Sequence, residues 1–388
     1  MDDLSNILGQ LSELAVETEE EIKKDLEQSQ EKMGLKTSSK IPNLPGIQVA
    51  KSRPPAIESD EAIKNLLKRS LPTIQIIGIG GAGNNCSARL LKSGLEKAEI
   101  IAVNTDAQDL LKTSAHKKAL IGYSLTKGFG AGNNPKIGEK AALESVDELK
   151  SIITGNLVFI TTGLGGGTGT GAAAVAAQLA RDRGALAISI CTLPFEMEGT
   201  VRRANAAEGL KKLYRSSDTV IVIPNQRLLS FSRDITLVKG FQIADAVLMR
   251  AVSSITELIT KKQLVNLDFA DIKKILKNGG ISVITLGESH HSDRPEEAVD
   301  DALNSPLIAD LDLKTSKKAL ICVTGGTDLS ITYAERVVDD VRNRIDPEAE
   351  VIWGASIDEN IKSDVVRCII ILSSMESDYS KKGAISRE

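Results

Sequence analysis

Aromatic residues are scarce in this chain, 3 % of 388, so its core is expected to be packed from aliphatic side chains. Cysteine is scarcer still and scattered. Cys86, Cys191, Cys322 and Cys368 lie far apart in apolar surroundings, and without a CxxC pair neither structural zinc nor a disulfide framework is expected. No basic block stands out against a formal net charge of −4, which argues against general affinity for nucleic acid. No apolar run approaches the roughly 18 residues of a membrane span, and the first residues are acidic, so neither membrane insertion nor a signal peptide is expected. These absences favour a reducing cytoplasm, and the length allows two or three domains.

What stands out instead is one dense run of glycine and threonine. Gly165, Gly166, Gly167, Thr168, Gly169, Thr170 and Gly171 run together between the apolar strand Leu157–Ile160 and an alanine-rich helix expected from Ala172 to Arg183. Glycine lets the backbone take positive φ and approach a ligand closely, so successive N–H groups can point at one anion. The helix that follows adds the positive end of its dipole, and the threonine hydroxyls are expected to reach phosphate oxygens or a metal. A linker of this composition would be longer and would not sit between two regular elements. It is not a Walker A loop, because Ala172 stands where that motif needs lysine.

Residues 1 to about 34 read as an amphipathic acidic helix, with Leu4, Ile7, Leu8, Leu11 and Leu14 at helical spacing, suited to a protein partner or self-association. A linker with Pro42, Pro45, Pro54 and Pro55 follows to about residue 58, then a short helix near Glu61–Arg69. From Ile74 strands and helices alternate, which predicts a doubly wound parallel α/β sheet. Its expected strands are Ile74–Ile79, Ile100–Asn104, Leu157–Thr161, Leu186–Thr192 and Val220–Ile223. A long apolar helix over Leu237–Thr260 leads into a second, smaller α/β domain with strands at Ile281–Leu286, Lys318–Thr324, Glu350–Ser356 and Val365–Ser373. The expected boundaries are an N-terminal extension at 1–70, a nucleotide-binding domain at 71–236, a central helix at 237–262, a C-terminal domain at 263–372 and a polar tail at 373–388.

The first strand ends in Gly78-Ile79-Gly80-Gly81-Ala82-Gly83, followed by Asn84, Asn85 and a helix. This satisfies GxGxxG, and alone it implies a dinucleotide site with Asp106 as the acid after the second strand. An NAD-dependent oxidoreductase is therefore a competing reading. The second glycine loop separates the two, because a nicotinamide site needs one pyrophosphate cradle. A third loop, Gly128 to Pro135, adds donors from Ala131, Gly132 and Asn133 on the same side of the sheet.

Taken together, these residues resemble the tubulin/FtsZ superfamily, and within it the archaeal FtsZ cell-division GTPases. The heptad at 165–171 matches that family's signature. Further matches are Gly80-Gly81-Ala82-Gly83-Asn84, Asn104-Thr105-Asp106-Ala107, Pro194-Phe195 with Glu198-Gly199, Ile223-Pro224-Asn225, and Asn266-Leu267-Asp268-Phe269-Ala270-Asp271. The resemblance runs from about Ile74 to Leu372. It implies a filament-forming GTPase that binds GTP or GDP with Mg2+, the ion held mainly by phosphates and water. Both glycine loops would hold the phosphates, with Asn104, Asp106 and the third loop also in the nucleotide site. Glu198 would bind the ribose, with Arg202 nearby. Asn225 and Asp245 would read the guanine edge and Phe241 would stack on its face.

Seen alone, Asp268 and Asp271 read as ordinary helix-capping carboxylates. The resemblance implies instead that their loop, steadied by Asn266, enters the pocket of the next subunit and supplies the acids that hydrolysis requires. A carboxylate is a weak base at neutral pH, so these groups are expected to orient and polarise water. The implied assembly is a head-to-tail homopolymer at the mid-cell division ring, with a separate membrane-anchor protein and a paralogue able to co-assemble. A nucleotide-binding filament without turnover is the structural alternative.

The chain departs from the family pattern at Thr200 and Val201, where a basic pair is common, and at Lys136, where an acid is common. His290 and His291 read as surface variation. Only some 16 polar residues follow Leu372, while an extension of about 70 residues precedes the region of resemblance, an arrangement that resembles the second of two archaeal division paralogues and suggests that recruitment has moved to the N-terminal end.

Overall fold

The computed structural model describes residues 72–95, 97–229, 237–260, 264–265, 268–291, 294–305, 307–308, 311–358 and 361–373. The expected N-terminal helix, proline linker and short helix lie outside them, as do Asn266 and the tail beyond Ser373.

Strand β1 (Ile74–Ile79) is buried at all six positions, as a parallel strand covered on both faces must be. It pairs in parallel with β2 (Ala98–Asn104) on one side and β4 (Leu157–Gly163) on the other. Beyond them lie β3 (Lys117–Leu120), β5 (Leu186–Leu193), β6 (Thr219–Pro224) and β7 (Gly280–Ser289). The order β3-β2-β1-β4-β5-β6-β7 reverses between β1 and β4. In such a sheet the connections after these two strands diverge and leave a crevice at their C-terminal ends.

The two glycine loops follow β1 and β4, so the topology alone brings them to that crevice. Gly280–Ser282 of β7 run parallel to β6, while Val283–Ser289 pair antiparallel with β10 (Val366–Ser373). The C-terminal domain is completed by β8 (Lys318–Gly325) and β9 (Glu350–Ile357), giving one ten-stranded sheet among the described residues.

Helix α1 (Gly80–Lys92) packs on β1, β2 and β4, and α2 (Ala107–Lys112) follows β2. On the opposite face from α1 lie α3 (Pro135–Glu144), α4 (Thr168–Asp182) and α5 (Thr200–Ser216), over a core that includes Ile77, Val158, Ile160, Ala173, Ala177 and Leu210. The long helix α6 (Leu237–Thr260) lies against α1. Its buried residues Ala244, Leu248, Ala251, Val252 and Ile255 recur every three or four positions, so one stripe enters a core shared with the C-terminal strands. Then come α7 (Phe269–Leu276), α8 (Glu296–Leu303) and α9 (Ile331–Arg344). Among the described residues no helix is long and apolar enough to cross a membrane.

Three expectations need correction. Helix α4 begins at Thr168 and not at Ala172, and α1 begins at Gly80 and not after Asn85. Glycine is a poor helix former, yet here it fills the first turns because neighbouring backbone leaves no room for a Cβ. A Cβ at Gly171 would collide with Pro135 O, and one at Gly83 with Thr161 O. Strand β3 was not anticipated. It is a four-residue edge strand, Lys-Lys-Ala-Leu, whose two exposed lysines guard the sheet edge.

Candidate functional site

The crevice is an open cleft of about 280 Å³, close to the lower end of the range for small-molecule sites. At one end its wall is the backbone of Gly80, Gly81, Ala82, Gly166, Gly167, Thr168 and Gly169. Two helix N-termini, those of α1 and α4, therefore open onto the same space, and both favour an anion. Gly80 has φ of +71°, and a Cβ there would stand 2.8 Å from Gly169 N. Only a residue without a side chain lets the two loops close to this distance. The third loop supports the cradle from behind: Asn205 Nδ2 donates to Asn133 O and Gly165 O, each at 3.3 Å. Asn205 was not foreseen from the sequence, since nothing in its spacing points to either loop.

The threonines of the heptad serve the loop. Gly165 N donates to Thr170 Oγ1 at 2.8 Å, and Thr168 Oγ1 lies 2.6 Å from Thr105 Oγ1. Thr170, Gly165 and Gly171 do not line the cleft, and neither do Gly83 or Asn84. Asn84 is fully buried and its side-chain amide has no hydrogen-bond partner. Asn104 Nδ2 donates to Asp109 Oδ2 at 2.6 Å, and Asp106 Oδ1 caps α2 by accepting from Gln108 N and Asp109 N. The carboxylate that an oxidoreductase would present to a ribose is thus engaged in capping. Ala131 is buried, while Gly132 and Asn133 are exposed; none of the three lines the cleft.

At the other end the lining is Asn225, Phe241, Ala244 and Asp245, with Pro194, Glu198 and Arg202 between the two ends. Phe241 is 39 % exposed and meets the buried ring of Phe195 edge-on, with centroids 5.2 Å apart and planes at 82°. Phe241 lines the cleft and keeps exposed ring surface there on which a flat group could stack. Asn225 Oδ1 is buried with no partner, an acceptor that a ligand donor would satisfy. Glu198 Oε1 accepts from Phe195 N at 2.8 Å, and Glu198 Oε2 pairs with Arg202 Nη1 at 2.6 Å.

Asp245 Oδ2 stands 3.3 Å from Arg89 Nη2. Burial raises the Asp245 pKa, and the Arg89 charge opposes that rise. A carboxyl whose folded pKa lies above its unfolded value binds more protons when folded. Its stabilising contribution is therefore present below the unfolded pKa and is lost as pH rises through the folded value. At neutral pH the ionised Asp245 is a burden on the empty protein. Asp245→Asn is expected to raise the melting temperature of the nucleotide-free protein by about 1–3 °C at pH 7, with the gain shrinking on acidification. Calorimetric scans at pH 5 and pH 7 check this.

Asp268 and Asp271 lie apart from the cleft, at the start of α7. Asp271 N donates to Asp268 Oδ1 at 2.9 Å and Asp268 N to Asp271 Oδ2 at 3.2 Å, a reciprocal capping box. The four cysteines are buried and unpaired, with the Cys86 and Cys191 thiols pushed up to about 12 by burial, so none is poised as a nucleophile. Among the described residues no cluster of His, Cys, Asp or Glu could hold a metal ion.

Comparison with known proteins gives this geometry a context. Residues 73–233 match the family model described as Tubulin/FtsZ family, GTPase domain, and residues 280–376 match FtsZ family, C-terminal domain. The chain is 48 % identical to cell division protein FtsZ 1 of Thermococcus kodakarensis, over 83 % of this chain and 86 % of that protein. The figures for FtsZ 1 of Methanocaldococcus jannaschii are 48 %, 82 % and 87 %. A solved empty FtsZ dimer from M. jannaschii superposes with a TM-score of 0.76 at 48 % identity, covering 81 % of this chain and 92 % of that one. CetZ2 of Haloferax volcanii, solved as a GTPγS-bound protofilament, shares the fold at a TM-score of 0.69 and 22 % identity, over 80 % and 96 %.

Proposed function

The chain belongs to the tubulin/FtsZ family of GTPases, and on that premise we propose that it polymerises head to tail and hydrolyses GTP at the junction between subunits. The observation that carries this reading concerns carboxylates. The described lining of the cleft has two, Glu198 and Asp245, and both are held in ion pairs, with Arg202 and Arg89. Neither is placed to act on water at the glycine-lined end. Asp268 and Asp271 stand outside the cleft, each with one oxygen given to the capping box and a second with which to accept from water. A second copy of the chain bringing these acids to the cleft would complete the site, and a relative at 48 % identity was solved as a dimer.

In this reading residues 71–236 hold the nucleotide, helix 237–262 connects, and 263–372 deliver the acids. The backbone N–H groups of Gly80–Ala82 and Gly166–Gly169 cradle the phosphates. Glu198 accepts from the ribose hydroxyls, Phe241 stacks on the base, and Asn225 with Asp245 reads its edge. Thr168 and Thr170, turned into the loop, keep the cradle in shape, and Asn104, Asp106 and the third loop brace it. Both carboxylates of the described lining are held in ion pairs, which would suit a magnesium ion carried by phosphates and water; such an ion would supply neutralisation of phosphate charge. Asp268 and Asp271 of the next subunit orient the attacking water. The filament works in the cytoplasm at the division site, tethered to the membrane by a separate anchor protein, with a paralogue able to co-assemble.

A mixing experiment tests the shared site. Asp271→Ala retains an intact cleft, and Asp245→Ala retains an intact acidic loop. Each alone is expected to be nearly inactive at low GTP, and mixing them is expected to restore turnover, because some junctions pair the intact halves. No recovery in filaments shown to contain both variants would count against the proposal.

A further inference from the structure

Asp245 is read above as facing the base, whereas its ion-pair partner Arg89 has been given no role toward the ligand. Arg89 is on α1 and Asp245 on α6, and they face each other across the packed surface between the two helices. The pair is lopsided: the Asp245 side chain is 12 % exposed and that of Arg89 41 %. The cation stays hydrated while it holds a carboxylate in a nearly dry wall, so the arrangement restrains the acid without the full cost of burying two charges.

We propose that Arg89 is a positioning residue for base selection, fixing the Asp245 carboxylate through one lone pair of Oδ2 so that its remaining acceptor sites face the purine edge. This rests on the reading of Asp245 as the group that faces the base. Guanine carries N1–H and N2–H donors side by side, which an ionised carboxylate can accept together. A carboxylate turned away or protonated presents a poorer match. Asp245 Oδ2 is engaged by Arg89, and the unpartnered Asn225 Oδ1 belongs to the same end of the cleft. Burial pushes Asp245 toward its neutral form and Arg89 is the opposing influence. Cys86, three residues before Arg89 on the same helix, also senses the Asp245 charge, which places α1 as the element facing this acid. Arg89 could not be found from sequence, because it and Asp245 lie 156 residues apart with no motif linking them.

The test compares GDP with inosine diphosphate, which lacks the 2-amino group, by titration calorimetry on the full chain. Arg89→Met is expected to weaken GDP binding about tenfold and inosine diphosphate less, so that the preference between them narrows. Arg89→Lys, which keeps the charge, is expected to recover most of the loss. In an Asp245→Asn background Arg89→Met is expected to change GDP binding by less than about twofold, since the carboxylate it acts through is gone. An equal loss in both backgrounds, or a loss that spares the GDP preference and is not rescued by lysine, overturns the proposal. If Asp245→Asn alone leaves the preference intact, the underlying reading of Asp245 falls and the role of Arg89 falls with it.

Discussion

Asp271→Ala is expected to bind GTP as the parent does and to lose turnover by about 100-fold or more, the scale on which a positioned acid or base contributes. The same substitution removes the N3 half of the capping box at the start of α7, a change that costs about 0.3–1.5 kcal/mol. A structural effect must therefore be separated from a chemical one. Asp271→Asn does so, because its amide oxygen can still accept from Asp268 N, while its charge is gone. If the acid acts on water, both variants lose turnover and only the alanine variant loses stability. Steady-state phosphate release, read beside thermal melting, distinguishes the cases; a fully active Asp271→Asn would reduce Asp271 to a helix cap.

The second large effect is expected at the floor of the cradle. A Cβ at Gly169 would lie 2.5 Å from Thr162 Oγ1 and 2.9 Å from Gly163 O, in a place with no slack. Gly169→Ala should force β4 and α4 apart, at a cost of about 1–3 kcal/mol for overpacking, and misalign the N–H groups proposed to cradle the phosphates. We expect nucleotide affinity to fall by about 100-fold, or about 2.7 kcal/mol. Gly81→Ala is the matched comparison, because a Cβ there meets only Asp109 Oδ2 at 3.8 Å. It should leave the melting temperature of the empty protein unchanged, and any loss of binding there reports space taken from the ligand itself. Equal melting temperatures for the two variants would mean that Gly169 is not a packing glycine.

Much of this architecture was legible because it is written in local pattern. The buried strands of the parallel sheet are short aliphatic runs, and the expected limits of Leu237–Thr260 coincide with those of α6. The two glycine loops were expected to converge, and the strand order explains why they meet. What could not be read depends on contacts between distant residues. The starts of α1 and α4 were misplaced because glycine propensity argues against helix, whereas packing against Thr161 O and Pro135 O demands glycine within it. Thr170 was expected to face the ligand and instead accepts from Gly165 N, a bond that exists only once the loop has folded. Arg89 and Asn205 bridge elements far apart in sequence, so their partners emerge only with the fold. Edge strand β3 is too short for its alternation to stand out.

The claim on which the account depends is that no single copy of the chain holds a complete hydrolytic site. GTP hydrolysis per protein molecule, measured across protein concentration with magnesium present and light scattering recorded on the same samples, tests it most directly. The account predicts a specific rate near zero at low concentration that rises cooperatively where scattering appears. A specific rate independent of concentration would place the whole site within one molecule and contradict it.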